Sequence, residues 1–130
     1  MNFKDNKPIY LQIAERICDN ILRGNFKEEE RIPSVREYAM VVEVNFNTVM
    51  RSFEHLQSQK IIYNKRGIGF FVAEKARKKI LSMRKEIFLK NEINDFFKQI
   101  YMLDIPIREI EKMYDIYVKQ QETKRHETNN

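Results

Sequence analysis

The chain has 130 residues, of which 42% are hydrophobic and 33% are charged, and its formal net charge is +5 at pH 7. This size and composition allow one compact domain with a modest appendage, and they exclude an intrinsically disordered chain. The positive charge favours polyanions as partners.

The first predicted helix opens near Pro8 and closes at Gly24, because proline is favoured at helix starts and glycine just past helix ends. Its isoleucines recur at every fourth position, at Ile9, Ile13, Ile17 and Ile21. This spacing is typical of the buried face of a helix. Cys18 lies beside the stripe and is interpreted as a small core residue.

A second, shorter helix is predicted to open at Pro33 and Ser34. Ser34 and Glu37 have the spacing of a capping box, in which each side chain binds an unpaired amide at the helix start. A third helix is predicted from roughly Asn47 to Ser58. The residues expected to face inward from these two helices are Val35, Tyr38, Ala39, Val42, Val49, Phe53 and Leu56.

The period of the sequence then changes from 3.6 to 2. The segments KIIYN (60–64) and GFFVA (69–73) are rich in residues that favour strands, and KRGI separates them. A β-hairpin with a basic turn is therefore predicted.

The C-terminal third is again helical in composition. Residues 75–103 contain neither glycine nor proline, and apolar residues follow a heptad pattern at Leu89, Ile93, Phe96, Ile100 and Leu103. Pro106 is predicted to break this helix, and a last helix follows. The basic run at 75–85 is open to three interpretations, in order of preference: a solvated helix face, a set of phosphate contacts, or a membrane-surface helix.

Three helices followed by a basic hairpin is the order of a winged helix-turn-helix, whose third helix enters the major groove of DNA. The front of that helix carries asparagines, a threonine and Arg51, with no acid until Glu54. Asparagine suits adenine, threonine suits thymine or phosphate, and arginine suits guanine or phosphate. Asparagine is also an ordinary helix cap, so Asn45 or Asn47 could serve only to close the helix end.

The runs PIYLQIAERICDNILRGNF, RIPSVREYA, VNFNTVMRSFEHL and GIGFFV resemble the DNA-binding domain of GntR-family bacterial transcription regulators over residues 8–73. The short helical remainder resembles the YtrA-like subgroup, whose members carry a small dimerisation segment. The resemblance implies a winged helix-turn-helix domain at 1–73 and a helical dimerisation segment at 74–125. The polar composition of the last residues predicts a disordered tail at 126–130.

The resemblance also implies roles for individual residues. Ser34 and Arg36 would hold the phosphate backbone. The recognition surface would consist of Asn45, Asn47, Thr48 and Arg51. The tip of the wing would consist of Lys65, Arg66 and Gly67.

Four positions depart from the family pattern. Phe46 stands where many relatives carry Arg or Pro, and Met50 where many carry an Arg that contacts a base or phosphate, so the family pattern does not give the operator sequence. Glu29 and Lys60 stand where glycine is usual, and altered turn geometry is expected there because a left-handed non-glycine residue costs about 1 kcal/mol.

The C-terminal helices carry a heavy aromatic load for the short chain that remains, which predicts a homodimer held by these helices. The two recognition helices would then address half-sites about 34 Å or more apart. A small-molecule effector of unknown identity is a further candidate partner. It could lie among Phe96, Tyr101 and Tyr114, although these aromatics are adequately explained as core.

The function predicted from these residues is a sequence-specific DNA-binding regulator, a repressor that binds a palindromic operator as a homodimer. The alternative is a winged-helix module that docks a protein and does not bind DNA sequence-specifically. An enzyme is not predicted, because the sequence has no catalytic triad order and no phosphate-binding loop. One cysteine and two histidines leave no zinc-ligand spacing, and no cofactor is expected. The N-terminus has no apolar signal region, so a cytoplasmic address is expected, with no membrane partner.

Overall fold

The computed structural model describes residues 6–129. The elements in chain order are α1 (Ile9–Leu22), α2 (Val35–Val42), α3 (Phe46–Ser58), β1 (Ile62–Lys65), β2 (Gly69–Val72), α4 (Ala76–Ile87), a π-helical turn (Phe88–Glu92), α5 (Ile93–Met102) and α6 (Ile107–Asn129). The predicted fold class is confirmed: a mainly helical winged helix-turn-helix with a small β-hairpin, followed by further helices. The chain divides into two compact units, of which the first ends at Arg84 and the second begins at Lys85.

The core of the first unit forms where the apolar faces of its helices meet the inner side of the hairpin. The buried side chains come from every element of the unit except the exposed ends of the hairpin: Ile13, Ala14, Ile17, Cys18, Ile21, Ile32, Val35, Tyr38, Ala39, Val42, Val49, Phe53, Leu56, Ile61, Ile62, Val72, Ala76 and Ile80. The inward-facing residues predicted for α2 and α3 are all among the buried ones, and so is Cys18. The periodicity of the sequence therefore identifies this core correctly apart from Ile9, which belongs to the predicted stripe of α1 but is 44% exposed.

A short segment before α2 lies beside the hairpin and makes backbone hydrogen bonds with β2. Ile32 N donates to Phe70 O at 2.9 Å, Glu29 N donates to Val72 O at 2.8 Å, and Arg31 forms a bridge with Phe71. β1 and β2 pair antiparallel, with Tyr63 opposite Phe71. The connection between α1 and α2 thus braces β2 of the wing.

Glu29 and Lys60 adopt left-handed backbone conformations, with φ of 66° and 62°. The expectation of altered turn geometry at these two positions is therefore wrong. The chain retains the left-handed turns without glycine, because the surrounding bonds fix them: Ile61 N, directly after Lys60, donates to Leu56 O at 3.0 Å. A left-handed non-glycine residue therefore lowers the stability of the fold here but does not change the turn geometry.

The first unit extends beyond the predicted boundary at residue 73, because the start of α4 belongs to it. Ala76 and Ile80 lie in its core. Arg84 forms an ion pair with Asp19 at 2.8 Å and donates to Glu15 O at 3.1 Å, while the Arg77 guanidinium donates to Leu22 O. Part of the basic run therefore fastens α4 to α1, a role that none of the three interpretations of this run includes.

The second unit leaves its apolar residues largely exposed. No side chain described between residues 85 and 128 is fully buried. Phe96 is 39% exposed, Leu103 68% and Tyr101 84%. The predicted heptad is interrupted by the π-helical turn, which contains Leu89. As predicted, the helix does not continue past Pro106, although α5 already ends at Met102 and the proline directly precedes α6.

The predicted disordered tail at 126–130 differs from the structure, in which α6 continues to Asn129; residue 130 lies outside the described residues. The segment contains no glycine or proline, and residues 121–125, which lead into it, include glutamine, glutamate, lysine and arginine, all good helix formers. The hydroxyls of Thr123 and Thr128 donate to carbonyls four residues back, both at 2.9 Å. Within residues 6–129, no helix has the length and apolarity needed to cross a membrane.

Candidate nucleic-acid interface

The start of α2 is held by the predicted capping box. Glu37 N donates to Ser34 Oγ, and Ser34 N donates to Glu37 Oε1, both at 3.1 Å. Hydrogen bonding to the Glu37 carboxylate by the Ser34 backbone N–H, first, and by the Ser34 side chain lowers the pKa of Glu37. The adjacent Arg36 is exposed and makes no side-chain hydrogen bond or ion pair with any described residue.

The turn between α2 and α3 sets the start of the recognition helix. Glu43 closes α2 in a left-handed conformation with φ of 56°. Asn45 is the N-cap of α3, and its Oδ1 accepts a hydrogen bond from Asn47 N at 2.8 Å. The capping interpretation is thus correct for Asn45, whose side-chain amide protons remain available, whereas Asn47 lies inside the first turn.

The exposed start of α3 presents three polar side chains. Asn47, Thr48 and Arg51 line a surface cavity of about 380 Å³ together with Pro8, Ile9 and Tyr10 of the α1 segment. Within residues 6–129, no side-chain hydrogen bond or ion pair occupies the polar atoms of these three residues. Their donors and acceptors are therefore free to bind a ligand such as the edges of bases.

Phe46 and Met50, the two positions on α3 that depart from the family pattern, lie in different environments. Phe46 begins α3 and is 42% exposed. Met50 is half-buried and packs against the core. Met50 thus contributes to packing, and the surface for ligand contact consists of Asn47, Thr48 and Arg51.

Tyr10 is the residue of this surface that sequence reasoning missed. The Arg51 guanidinium lies 4.0 Å from the centroid of the Tyr10 ring, and the His55 ring meets the same tyrosine edge-on at 6.1 Å. Ser52 Oγ donates to Tyr10 O at 2.6 Å and is fully buried between α1 and α3. The helical period of α1 gives no signal for this role, because it marks only the isoleucine stripe.

The wing carries the remaining predicted residues. Lys65 ends β1, and its Nζ lies 4.4 Å from the Phe71 ring centroid, where it covers a stacked Tyr63–Phe71 pair. Arg66 and Gly67 form the exposed tip, with Gly67 at φ of 79°. Lys65 is thus partly ordered by a cation–π contact, while Arg66 extends from the turn without a described partner.

The structure therefore places the predicted site residues in three groups of the first unit: the start of α2, the exposed start of α3 and the wing tip. It brings the α3 group together with the beginning of α1, a contact that was not predicted. No group of three or more His, Cys, Asp or Glu residues within 6–129 is arranged to hold a metal ion.

Comparisons with known proteins agree with this architecture. The family model described as bacterial regulatory proteins, gntR family, matches residues 9–72. The HTH-type transcriptional regulator YhcF of Bacillus subtilis is 35% identical over 108 residues, covering 83% of this chain and 88% of that protein. The HTH-type transcriptional repressor YtrA of the same organism is 28% identical over 112 residues, covering 86% and 83%.

A crystal structure of a GntR-family transcriptional regulator from Bacteroides thetaiotaomicron has a TM-score of 0.76 and 63% identity, covering 88% of this chain and 99% of that one. The similarity thus extends through the second unit. All three relatives are regulators of transcription, in agreement with the prediction that the chain is not an enzyme.

Proposed function

Because the chain belongs to the GntR family of bacterial regulatory proteins, and to its YtrA-like members, we propose that it is a homodimeric repressor that binds a palindromic operator. It is a transcriptional regulator with a DNA-binding domain. The repressor role is supported by the name of its relative YtrA. A cytoplasmic location belongs to the proposal, since bacterial DNA lies there.

The exposed start of α3 is the observation that carries this proposal. Asn47, Thr48 and Arg51 offer an amide, a hydroxyl and a guanidinium with no competing partner among the described residues. In the major groove, these groups would read base edges. Asn45 would contribute its amide protons while its oxygen caps the helix.

Phosphate contacts would come from the other two groups. Ser34 and Arg36 at the start of α2, and Lys65, Arg66 and Gly67 at the wing, would hold the backbone on either side of the recognition helix. Contacts of this kind release counterions from DNA, so the affinity should fall as salt rises. Base reading and backbone binding are therefore assigned to different residues and can be separated by experiment.

The homodimer is supported by the exposure of the second unit. A monomer would leave Phe96, Phe97, Tyr101, Leu103 and Tyr114 in water, and each is between 39% and 84% exposed. Burial of such residues contributes about 25 cal/mol per Å². A second copy of the chain would bury them and would place two recognition helices on a twofold-related operator. An effector molecule stays a prediction, and no residues are assigned to it.

The test is fluorescence-anisotropy binding to the protein's own promoter fragment and to scrambled DNA of equal length, across a salt series. We expect tight promoter binding by two protomers with a steep salt slope. Equal and weak binding to both DNAs would contradict the proposal and favour a module that docks a protein.

Three variants sharpen this test. Asn47→Ala and Thr48→Ala should each lower promoter affinity about 5- to 100-fold and scrambled-DNA affinity little. Arg66→Ala should weaken both DNAs and reduce the salt slope by about one. Lys124→Ala, which removes a cation from α6, is the matched control. It should change neither the affinity for the two DNAs nor the salt slope.

A further inference from the structure

The aromatic ring of Tyr10 forms a platform for Arg51. The guanidinium carbon lies 4.0 Å from the ring centroid, a distance at which the positive charge is attracted to the π face. His55, one helical turn beyond Arg51, meets the same ring edge-on at an interplanar angle of 81°. Tyr10 is half-buried, and its ring contacts both Arg51 and His55 on α3.

The backbone beneath this platform is fixed independently of the ring. Ser52 Oγ donates to the carbonyl oxygen of Tyr10 at 2.6 Å, and Ser52 is fully buried. A substitution of the Tyr10 side chain leaves this bond available, because the acceptor belongs to the main chain. The ring can therefore be removed without removing the polar link between α1 and α3.

Stacking leaves the hydrogen-bonding edge of Arg51 unoccupied. A guanidinium carries five N–H donors in its plane, and a ring against its face uses none of them. Arg51 makes no ion pair with any described carboxylate, including Glu54 three residues further along α3. The side chain is thus held in one arrangement while all of its donors remain available.

We propose that Tyr10 is a positioning residue that pre-orders Arg51 for a bidentate contact with DNA, to a guanine edge or a phosphate. The inference rests on the proposed DNA-binding function and adds α1 to the recognition surface. A stacked arginine has less side-chain entropy to lose on binding, so the ring contributes to affinity through Arg51 without touching DNA itself.

A double-mutant cycle tests the proposal. Tyr10→Leu removes the π face and should lower promoter affinity about 3- to 10-fold, while Tyr10→Phe keeps the ring and should stay within about twofold of the wild type. In an Arg51→Ala background, Tyr10→Leu should cause no further loss. Additive losses, or full affinity in Tyr10→Leu, would overturn the inference.

A measurement without DNA separates this inference from the proposed function. In NMR spectra, the Arg51 side-chain Hε resonance should show a ring-current shift that disappears in Tyr10→Leu and persists in Tyr10→Phe. Its absence from the wild type would overturn the stacking. If the shift is present but the wild type does not distinguish promoter from scrambled DNA, the proposed function fails and the promoter role of Tyr10 falls with it.

A second variant tests the inference even if Tyr10→Leu fails to fold. Arg51→Lys keeps the charge but loses the planar group that stacks and binds bidentately. We expect it to bind the promoter about as weakly as Arg51→Ala. Wild-type affinity in Arg51→Lys would overturn the inference.

Discussion

Arg31 lies so close to Gly69 that a Cβ atom at this glycine would be 2.9 Å from Arg31 Nε. The glycine has φ of 141°, a conformation that residues with a side chain rarely adopt. The contact joins the segment before α2 to the first residue of β2, which pairs with Lys65 beside the turn. The wing is thus held next to its tip by a residue outside the hairpin.

Gly69→Ala should therefore destabilise the protein by about 1–3 kcal/mol, because alanine must strain the backbone and displace Arg31. Urea unfolding measures this. Gly67→Asn is the control: asparagine tolerates a left-handed backbone, and no atom outside its chain neighbours lies within 4 Å of the Cβ position at Gly67. A loss in Gly67→Asn as large as that in Gly69→Ala would show that the Arg31 contact is not the cause.

Tyr38→Phe should raise the free energy of unfolding by about 1 kcal/mol. Tyr38 is buried, and no described residue offers its hydroxyl a hydrogen-bond partner. Burial also raises the pKa of this phenol. Phenylalanine keeps the ring that packs 6.2 Å from the Phe53 ring and removes the unpaired group.

Tyr63→Phe is the counterpart of that substitution. Tyr63 Oη donates to Glu29 Oε2 at 3.1 Å, so its hydroxyl is satisfied. Its removal should lower stability or leave it unchanged. A gain in Tyr63→Phe equal to that in Tyr38→Phe would mean that hydroxyl satisfaction does not decide the outcome.

Lys60→Gly should stabilise the protein by about 0.5–1 kcal/mol, since glycine adopts the observed φ of 62° without steric cost. The bond from Lys79 Nζ to Lys60 O, at 3.2 Å, involves the main chain and should persist. Gly24 has φ of 84°, and no described atom outside its chain neighbours lies within 4 Å of the Cβ position there. Gly24→Ala should therefore lower the free energy of unfolding by a similar amount. Thermal and urea unfolding of both variants check the sign, and a loss in Lys60→Gly would contradict the strain argument.

Cys18 should make stability fall in alkaline solution. Burial raises the pKa of its thiol from 9.0 to about 11. The folded state therefore holds the proton more tightly than the unfolded state, so this contribution is complete below pH 9 and is lost as the pH rises towards 11. The difference in unfolding free energy between wild type and Cys18→Ala should narrow over that range. A constant difference would contradict the shift.

Phe96→Glu should convert a dimer into a monomer, because the stripe that contains Phe96 would then carry a charge into the apolar contact. Sedimentation velocity at tens of micromolar measures the state, and promoter affinity should fall by about a hundredfold or more with the loss of bivalent binding. Lys98→Glu, outside the stripe, is the control. A monomeric wild type would contradict the homodimer.

The sequence is sufficient to predict the helices and hairpin of the first unit, because their apolar residues repeat at 3.6 or 2 and their starts carry capping residues. Val49, Phe53 and Leu56 illustrate this, since each is fixed by its spacing alone. The capping box of Ser34 and Glu37 is equally local. Contacts between residues close in sequence can thus be predicted from the sequence pattern.

Features that depend on distant contacts are not readable in this way. The segment 29–32 begins with two glutamates and an arginine, and its extended pairing depends on β2 as a partner. Arg84 belongs to the first unit through Asp19, 65 residues away in the chain. Tyr10 reaches Arg51 across the interface of α1 and α3, and neither residue has a pattern that predicts the other.

The cap role of Asn45, beside its proposed contact with DNA, separates what can change in this surface from what cannot. Its oxygen maintains the helix, so any replacement must preserve that bond or weaken the element that presents the other side chains. Among the described residues, the side chains of Asn47, Thr48 and Arg51 make no hydrogen bond that holds the helix. We expect lineages of this regulator to drift towards new target sites by exchanging those three residues while position 45 stays fixed. A library built to retarget the protein should randomise the three and leave the cap alone.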